Sequence, residues 1–553
     1  MEIIPLPGAL AIDVDTCVPI IHGEPTLDQE HAIASRPLPL IHTLAFEMLA
    51  EIMVLALAPR IGPNGRSEAT ARDVQRLCQV CSYWREVAVK TARLWTTIPL
   101  PIMTWDWQVA PSPTKMFLER SAPLPIPVCI LPIFIEDSDV NLVEISPMVS
   151  NISDRWRTFK VMCPWDKFDV ASLARISSLK NLESLHLKWT KPESWHGSEL
   201  DAFLHAPRLR DVRIEVPLAT SNILSMPWAQ LTRLSLTYDS PQLCLDVLSS
   251  CTKLVTAYVN TKQWLESDSP DDSYVARSGL LAHLTELRIH SRIYSTGETL
   301  GPFLRRFRLP ALKTLDLNVQ LSETDDDTFV DRLTPALTFL LAQSPNLHCL
   351  RLGNGSWGSF YAEDMPDILH YTPNLTELVL SMLQVDDNFF EALRYAGPNT
   401  TPLVPELDTL VLMDVGESFE EASFGDMIRS RWWSDVERLA MLTPPIVTRL
   451  KHIKFWNQGL HNMADDFKGF TAELVDTMRE YCSQGLDLTG SNYFPQTSHH
   501  PSSPSPGEPG ASGSEGEGSG SEGEGSGSEG EGSPLEDVFS MLSDTIERFS
   551  IER

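Results

Sequence analysis

The chain has 553 residues, 42% of them hydrophobic and 21% charged, too long for one ordinary domain and long enough to bury a large core. Asp and Glu number 74 against 44 Lys and Arg, a formal charge of −30. That balance argues against broad binding to nucleic acid or an anionic membrane, since both need a basic footprint to displace counterions.

No apolar run of 18 residues occurs, so no transmembrane helix is predicted. The first Lys or Arg is Arg36, so no charged region opens a signal peptide. Nine scattered cysteines in so long a chain read as reduced thiols, which points to a cytoplasmic and/or nuclear protein. Residues 1–35 mix Pro, acids and isolated apolar residues without a period and are expected to form a disordered leader.

Residues 36–98 carry three short helical patterns. Leu44, Met48, Leu49, Ile52, Met53 and Ala56 fall at 3–4 spacing as one apolar stripe, and residues 61–65 break it. Val74, Leu77, Cys78 and Cys81 mark a second pattern, and Trp84, Val87 and Ala88 a third that ends near Leu94-Trp95.

Over 99–495 one unit recurs, L-x-x-L-x-L with aliphatic substitutions. Ten copies run from Leu182-Leu185-Leu187 to Leu450-Ile453-Phe455, at spacings between 22 and 43 residues, after a degenerate copy at Trp156-Phe159-Val161. Each L-x-L is a short strand whose inward side chains cannot be buried within one repeat, so neighbours must stack into a solenoid. Helices are predicted between copies, over 331–342 and 387–394 among others. In five copies a Pro stands two residues before the first Leu (207, 310, 345, 373 and 405), where it stops a helix and favours extended backbone.

These copies resemble the leucine-rich-repeat family. The family's Asn or Cys three residues after the last strand leucine is missing from all ten, so an irregular solenoid is expected. The overall expectation is an α/β chain: a three-helix block, then a curved parallel sheet with outer helices, then an acidic tail.

The helical block is similar to an F-box, whose pattern is L-P-x-E-x-L-x-x-I, V-C-x-x-W-R and a closing L-W. This chain has Leu44-Ala45-Phe46-Glu47-Met48-Leu49-Ala50-Glu51-Ile52, Val80-Cys81-Ser82-Tyr83-Trp84-Arg85 and Leu94-Trp95, with Ala45 where the family has Pro. The resemblance implies docking on the Skp adaptor and cullin of an SCF (Skp–cullin–F-box) ubiquitin ligase. Leu44, Glu47, Leu49, Ile52, Val80 and Trp84 would then form or support the surface, and the repeats would hold a protein substrate. The same residues also suit a helical cap on the solenoid, and the repeats suit a scaffold outside any ligase.

Strand side chains alternate faces, so the residue between the two inward leucines points away from the core. These are His186, Arg213, Ser235, Tyr258, Arg288, Asp316, Arg351, Val379, Val411 and Lys454. Stacking makes them a mostly basic, partly aromatic strip, expected to bind an acidic or phosphorylated partner through His186, Arg213, Tyr258, Arg288, Arg351 and Lys454.

No cofactor or metal is expected. Cys78-x-x-Cys81 lacks the second ligand pair that a closed zinc site needs. Gly353-x-Gly355-x-x-Gly358 follows a strand, but no acid ends the next strand, as a dinucleotide fold requires. No catalytic set stands out, and a non-enzyme is expected. Residues 496–534 are rich in Ser, Gly, Glu and Pro and read as a disordered linker, with three Ser-Glu-Gly-Glu copies from Ser514, Ser521 and Ser528. Over 535–553, Leu535, Val538, Phe539, Leu542, Ile546 and Phe549 share one face of a short amphipathic helix.

Overall fold

The computed structural model of the protein describes residues 44–57, 71–96, 111–130, 146–162, 173, 176, 178–188, 198–215, 225–238, 241–262, 279–293, 300–321, 333–354, 362–381, 385–397, 400–413, 419–433, 446–456 and 470–489. The leader, the linker, the amphipathic helix and the break at 61–65 lie outside them. Among the described residues no helix is long and apolar enough to cross a membrane.

Thirteen strands pair in chain order as one parallel sheet. They are β1 (Ile126–Ile130), β2 (Trp156–Met162), β3 (Ser184–Lys188), β4 (Asp211–Glu215), β5 (Arg233–Tyr238), β6 (Thr256–Lys262) and β7 (Glu286–Ile293). The row continues through β8 (Thr314–Leu321), β9 (Cys349–Asn354), β10 (Glu377–Ser381), β11 (Thr409–Met413), β12 (His452–Trp456) and β13 (Asp487–Thr489). Every leucine-type position of the ten copies is at most 3% exposed. The pattern forms a sheet because each inward pair has a neighbouring pair to bury against, with a fully buried Leu contributing ~1.5–3 kcal/mol.

Two strands go beyond the predicted copies. Ile126-x-Val128-x-Ile130 and Leu486-x-Leu488 alternate in the same way, but each is too short to carry the full six-residue unit. Convex elements range from the 3-10 turn Trp228–Gln230 to the helix Ala472–Ser483. The predicted helices are present as Leu333–Ala342 and Asp387–Leu393. Asp386 caps the latter, accepting from the Phe389 N–H at 3.0 Å.

The prolines have a more local role than stopping helices. In nine copies the first-Leu N–H donates to the carbonyl three residues back, which closes a tight turn into the strand. Each of the five prolines is the second residue of that turn, where its fixed φ suits a type I geometry.

A substitute for the family's missing asparagine also emerges. Directly before the first Leu, Asn346 Nδ2 donates to the Pro310 carbonyl at 2.9 Å, and Asn374 Nδ2 to the Pro345 carbonyl at 2.8 Å. Asn181 and Gln230 reach the Asp154 and Ala206 carbonyls in the same way, both at 2.7 Å. These amides tie each turn to the one before it. Asn374→Ala should cost about 1 kcal/mol, read as a lowered denaturation midpoint with an unchanged slope.

Phe424 and Arg431, described residues of the 43-residue spacing before the last copy, respectively centre an aromatic cluster and supply a buried cation. Phe390, Phe424, Phe455 and Phe470 pack at centroid distances of 5.1–5.6 Å. Arg431 is 0% exposed. Its guanidinium donates to the Leu393, Val404 and Leu403 carbonyls at 2.6, 3.1 and 2.6 Å, and burial lowers its pKa to about 10.

Ahead of the sheet stand α1 (Phe46–Ala56), α2 (Ala71–Gln79) and α3 (Ser82–Lys90), closed by the 3-10 turn Ala92–Trp95. Cys81 is the N-cap of α3, its Sγ accepting from the Trp84 N–H at 3.4 Å. A further helix, α4 (Pro111–Ser121), joins this block to the solenoid. Trp95 meets Phe117 edge-on at 4.8 Å, with the Arg120 guanidinium 4.6 Å from the Trp95 ring. Arg155 then ties α4 to β2, donating to Leu118 O, Leu124 O and Ser121 Oγ at 2.7–3.0 Å.

Candidate functional site

The helical block and the concave face of the sheet each present side chains that the core does not use. On α1 the predicted single stripe divides in two. Leu49, Met53 and Val54 are buried, whereas Met48 is 58%, Ile52 43% and Leu55 67% exposed. The exposed three stand at i, i+4 and i+7, so they share one side of the helix. An apolar stripe facing water on a helix already anchored by its other side needs an explanation beyond chain stability.

The other predicted adaptor residues play mixed parts. Leu49 is fully buried and supports α1 from beneath, so it is closed to contact. Trp84 packs against the core, the Leu44 carbonyl accepts from Tyr83 Oη at 2.8 Å, and Glu47 and Val80 are exposed. Met48 and Leu55 join the exposed stripe although the motif does not single them out. Ala45 has φ −61° and ψ 148°, the backbone that a proline ring would impose. Ala45→Pro should therefore keep the helix and raise stability by about 0.4–1 kcal/mol, read as a higher melting temperature of the block.

On the concave face, strand register places the ten predicted positions in one row. His186 pairs with Arg213, Arg213 with Ser235, Ser235 with Tyr258, and Tyr258 with Arg288. The row continues through Asp316, Arg351, Val379 and Val411 to Lys454. Parallel strands in constant register, one short strand per repeat, with helices and 3-10 turns on the outside, decide the architecture. The fold is a leucine-rich-repeat solenoid.

The row differs from a bare basic strip. Arg213 pairs with Glu215 at 2.5 Å, Arg288 with Glu286 at 2.7 Å and Arg351 with Glu377 at 3.1 Å. Asp316 and Val379 are each only 7% exposed, and Tyr258 Oη lies 3.2 Å from His290 Nδ1. Two of these pairs were legible as Arg-x-Glu and Glu-x-Arg, residues two apart on one strand face. The Arg351–Glu377 pair spans two repeats and needs the register.

Glu215 is the hub of β3 and β4. His186 Nε2 lies 3.1 Å and Lys188 Nζ 2.9 Å from its carboxylate, alongside Arg213. Burial alone would raise the Glu215 pKa, but the His186 hydrogen bond and the Arg213 and Lys188 charges outweigh it and hold the carboxyl far below its usual range. Burial, aided by Arg213 and Lys160, lowers the His186 pKa despite Glu215.

Both shifts act with the same sign. Below pH ~6.5 unfolded His186 takes a proton that the folded ring resists, and below ~4.3 unfolded Glu215 does likewise. Stability should therefore fall with acid in two stages. Protection factors of the β3 and β4 amides, taken relative to intrinsic exchange at each pH, should fall through the first stage, and His186→Gln should flatten that stage alone.

Of the glycine motif, Gly355 and Gly358 lie outside the described residues. A Cβ on Gly353 would meet Asn318 Cγ at 3.3 Å, so the glycine serves close packing between β8 and β9. Cys78 is half-buried, and burial raises its pKa.

No family model matches the chain, and no curated protein matches it. Solved structures do. An internalin (inlF) of Listeria monocytogenes shares 14% identity over 68% of this chain and 93% of its own, with a TM-score of 0.32. A chain of the Rad7 and Elc1 complex in yeast shares 14% identity over 84% of this chain and 98% of its own, at 0.34. The Toll–Spatzle complex of Drosophila gives 16% over 56% and 38%, at 0.29. The relation extends to fold alone.

Proposed function

We propose that this solenoid is the substrate-recruiting subunit of an SCF-type ubiquitin ligase. The exposed Met48, Ile52 and Leu55 stripe carries the reading, because it lies in the segment that resembles an F-box and no element of the described fold covers it. The stripe docks on the Skp adaptor, which links the chain to the cullin. The concave row holds a protein whose lysines then face a ubiquitin-charged enzyme. The chain performs no covalent step itself; its contribution is position.

Direct attachment of the block to β2 through Trp95, Phe117, α4 and Arg155 supports this, since a recruiting subunit must hold its two surfaces at a fixed distance. A repeat scaffold outside any ligase is the second reading, favoured by the ion-paired, nearly neutral middle of the concave face. Co-purification decides between them. The Skp adaptor should co-elute with the chain in equal molar amount, and a chain that recovers partners without the adaptor is the scaffold.

A further inference from the structure

Charge is unevenly distributed along the concave face. Among described outward side chains, β2–β5 carry Lys160, Lys188, Arg213 and Arg233 against Asp211 and Glu215, four cations to two anions. Strands β7–β10 carry Arg288 and Arg351 against Glu286, Asp316 and Glu377, two cations to three anions, and β11–β13 one of each. The surplus is real at the level of contacts. Glu215 alone serves Lys188, Arg213 and His186, and among the described residues no carboxylate pairs with Lys160. A positive end on a chain of net charge −30 therefore has an anionic occupant as its natural complement.

The same chain supplies one. Residues 514–531 hold six glutamates (515, 517, 522, 524, 529 and 531) and no Lys or Arg. From Thr489 on β13 to Ser514 is 25 residues, which reach at most about 80–90 Å. Ten strand spacings back to β3 amount to roughly 48 Å. A coil of that length averages only about 25–30 Å, so docking stretches the tether and the contact is weak and salt-sensitive. We propose that residues 514–531 dock in cis across Lys160, Lys188 and Arg213, at the β2–β4 end of the concave face.

This makes the acidic stretch a competitor for whatever the concave face binds, displaced only by a ligand that outdoes its tethered concentration. The inference needs no adaptor, so it stands or falls separately from the ligase reading.

Zero-length carbodiimide cross-linking of the full-length monomer tests it, because the reagent joins a lysine amine only to a carboxylate in contact. At low salt, Lys160 and Lys188 should join to glutamates of 514–531 several-fold more often than Lys454, and about 0.5 M NaCl should erase the preference. Chain proximity alone predicts the reverse, since Lys454 stands on the strand next to β13. Arg213→Glu should reduce the Lys160 and Lys188 products. A synthetic 514–531 peptide added in trans should bind a full chain with all six glutamates changed to glutamine several-fold tighter than it binds wild type. Cross-links that favour Lys454 or spread over all lysines overturn the proposal. Equal peptide binding to both chains does so too, and would leave the positive end to an acidic segment of another protein.

Discussion

Ile52→Asp should abolish co-elution with the Skp adaptor and leave the solenoid folded. Ile52 is the middle member of the Met48, Ile52 and Leu55 stripe and is 43% exposed, so the free chain tolerates the change. Helix propensity alone moves by under ~1 kcal/mol. In a complex the carboxylate would be buried without a partner, a cost of several kcal/mol, and ~2.7 kcal/mol already weakens binding about 100-fold. Met48→Ala and Leu55→Ala should each weaken binding by ~1–2 kcal/mol through lost apolar area. Leu49→Asp is the contrasting control: at 0% exposure it should unfold the block outright. Unchanged co-elution of Ile52→Asp would move the docking surface off α1.

Arg431→Met should be the most destabilising single change in the solenoid, at roughly 3–5 kcal/mol. The methionine keeps much of the volume but leaves the Leu393, Leu403 and Val404 carbonyls without their donor. An orphaned buried acceptor costs about 1–3 kcal/mol, and three share this one guanidinium. Repeat proteins are coupled mainly through neighbours, so the loss should appear locally. Amide exchange should accelerate over β11–β13 and stay near wild type over β2–β5. Uniform acceleration along all strands would show that the solenoid unfolds as one unit and that Arg431 is not a local staple. Arg431→Lys should recover little, because an ammonium cannot span three carbonyls as a planar fork does.

The repeat was legible because its physics is local. An L-x-x-L-x-L unit names its own inward positions, so the ten copies, their order and their strands follow from spacing alone. The outward row was legible for the same reason: once strands stack in parallel, residues at equal offsets must align. β1 and β13 escaped notice because two or three alternating apolar residues also occur in loops, and only pairing to a neighbour separates the cases.

What sequence could not decide is where two distant segments meet. The α1 stripe reads as one apolar band at 3–4 spacing, and only packing against the rest of the block sends Leu49 and Met53 inward while Met48 and Ile52 stay out. An arginine after a helix looks like a solvated end. Arg431 is buried because it reaches back to three carbonyls of the preceding repeat. The concave charges follow the same logic. Composition along the row is basic, but the field a ligand meets depends on which carboxylates lie beside it. Glu377 neutralises Arg351 from the next strand, whereas Lys160 meets no such partner among the described residues. Periodicity determines which face a side chain takes, and tertiary contact alone determines what charge and exposure remain there.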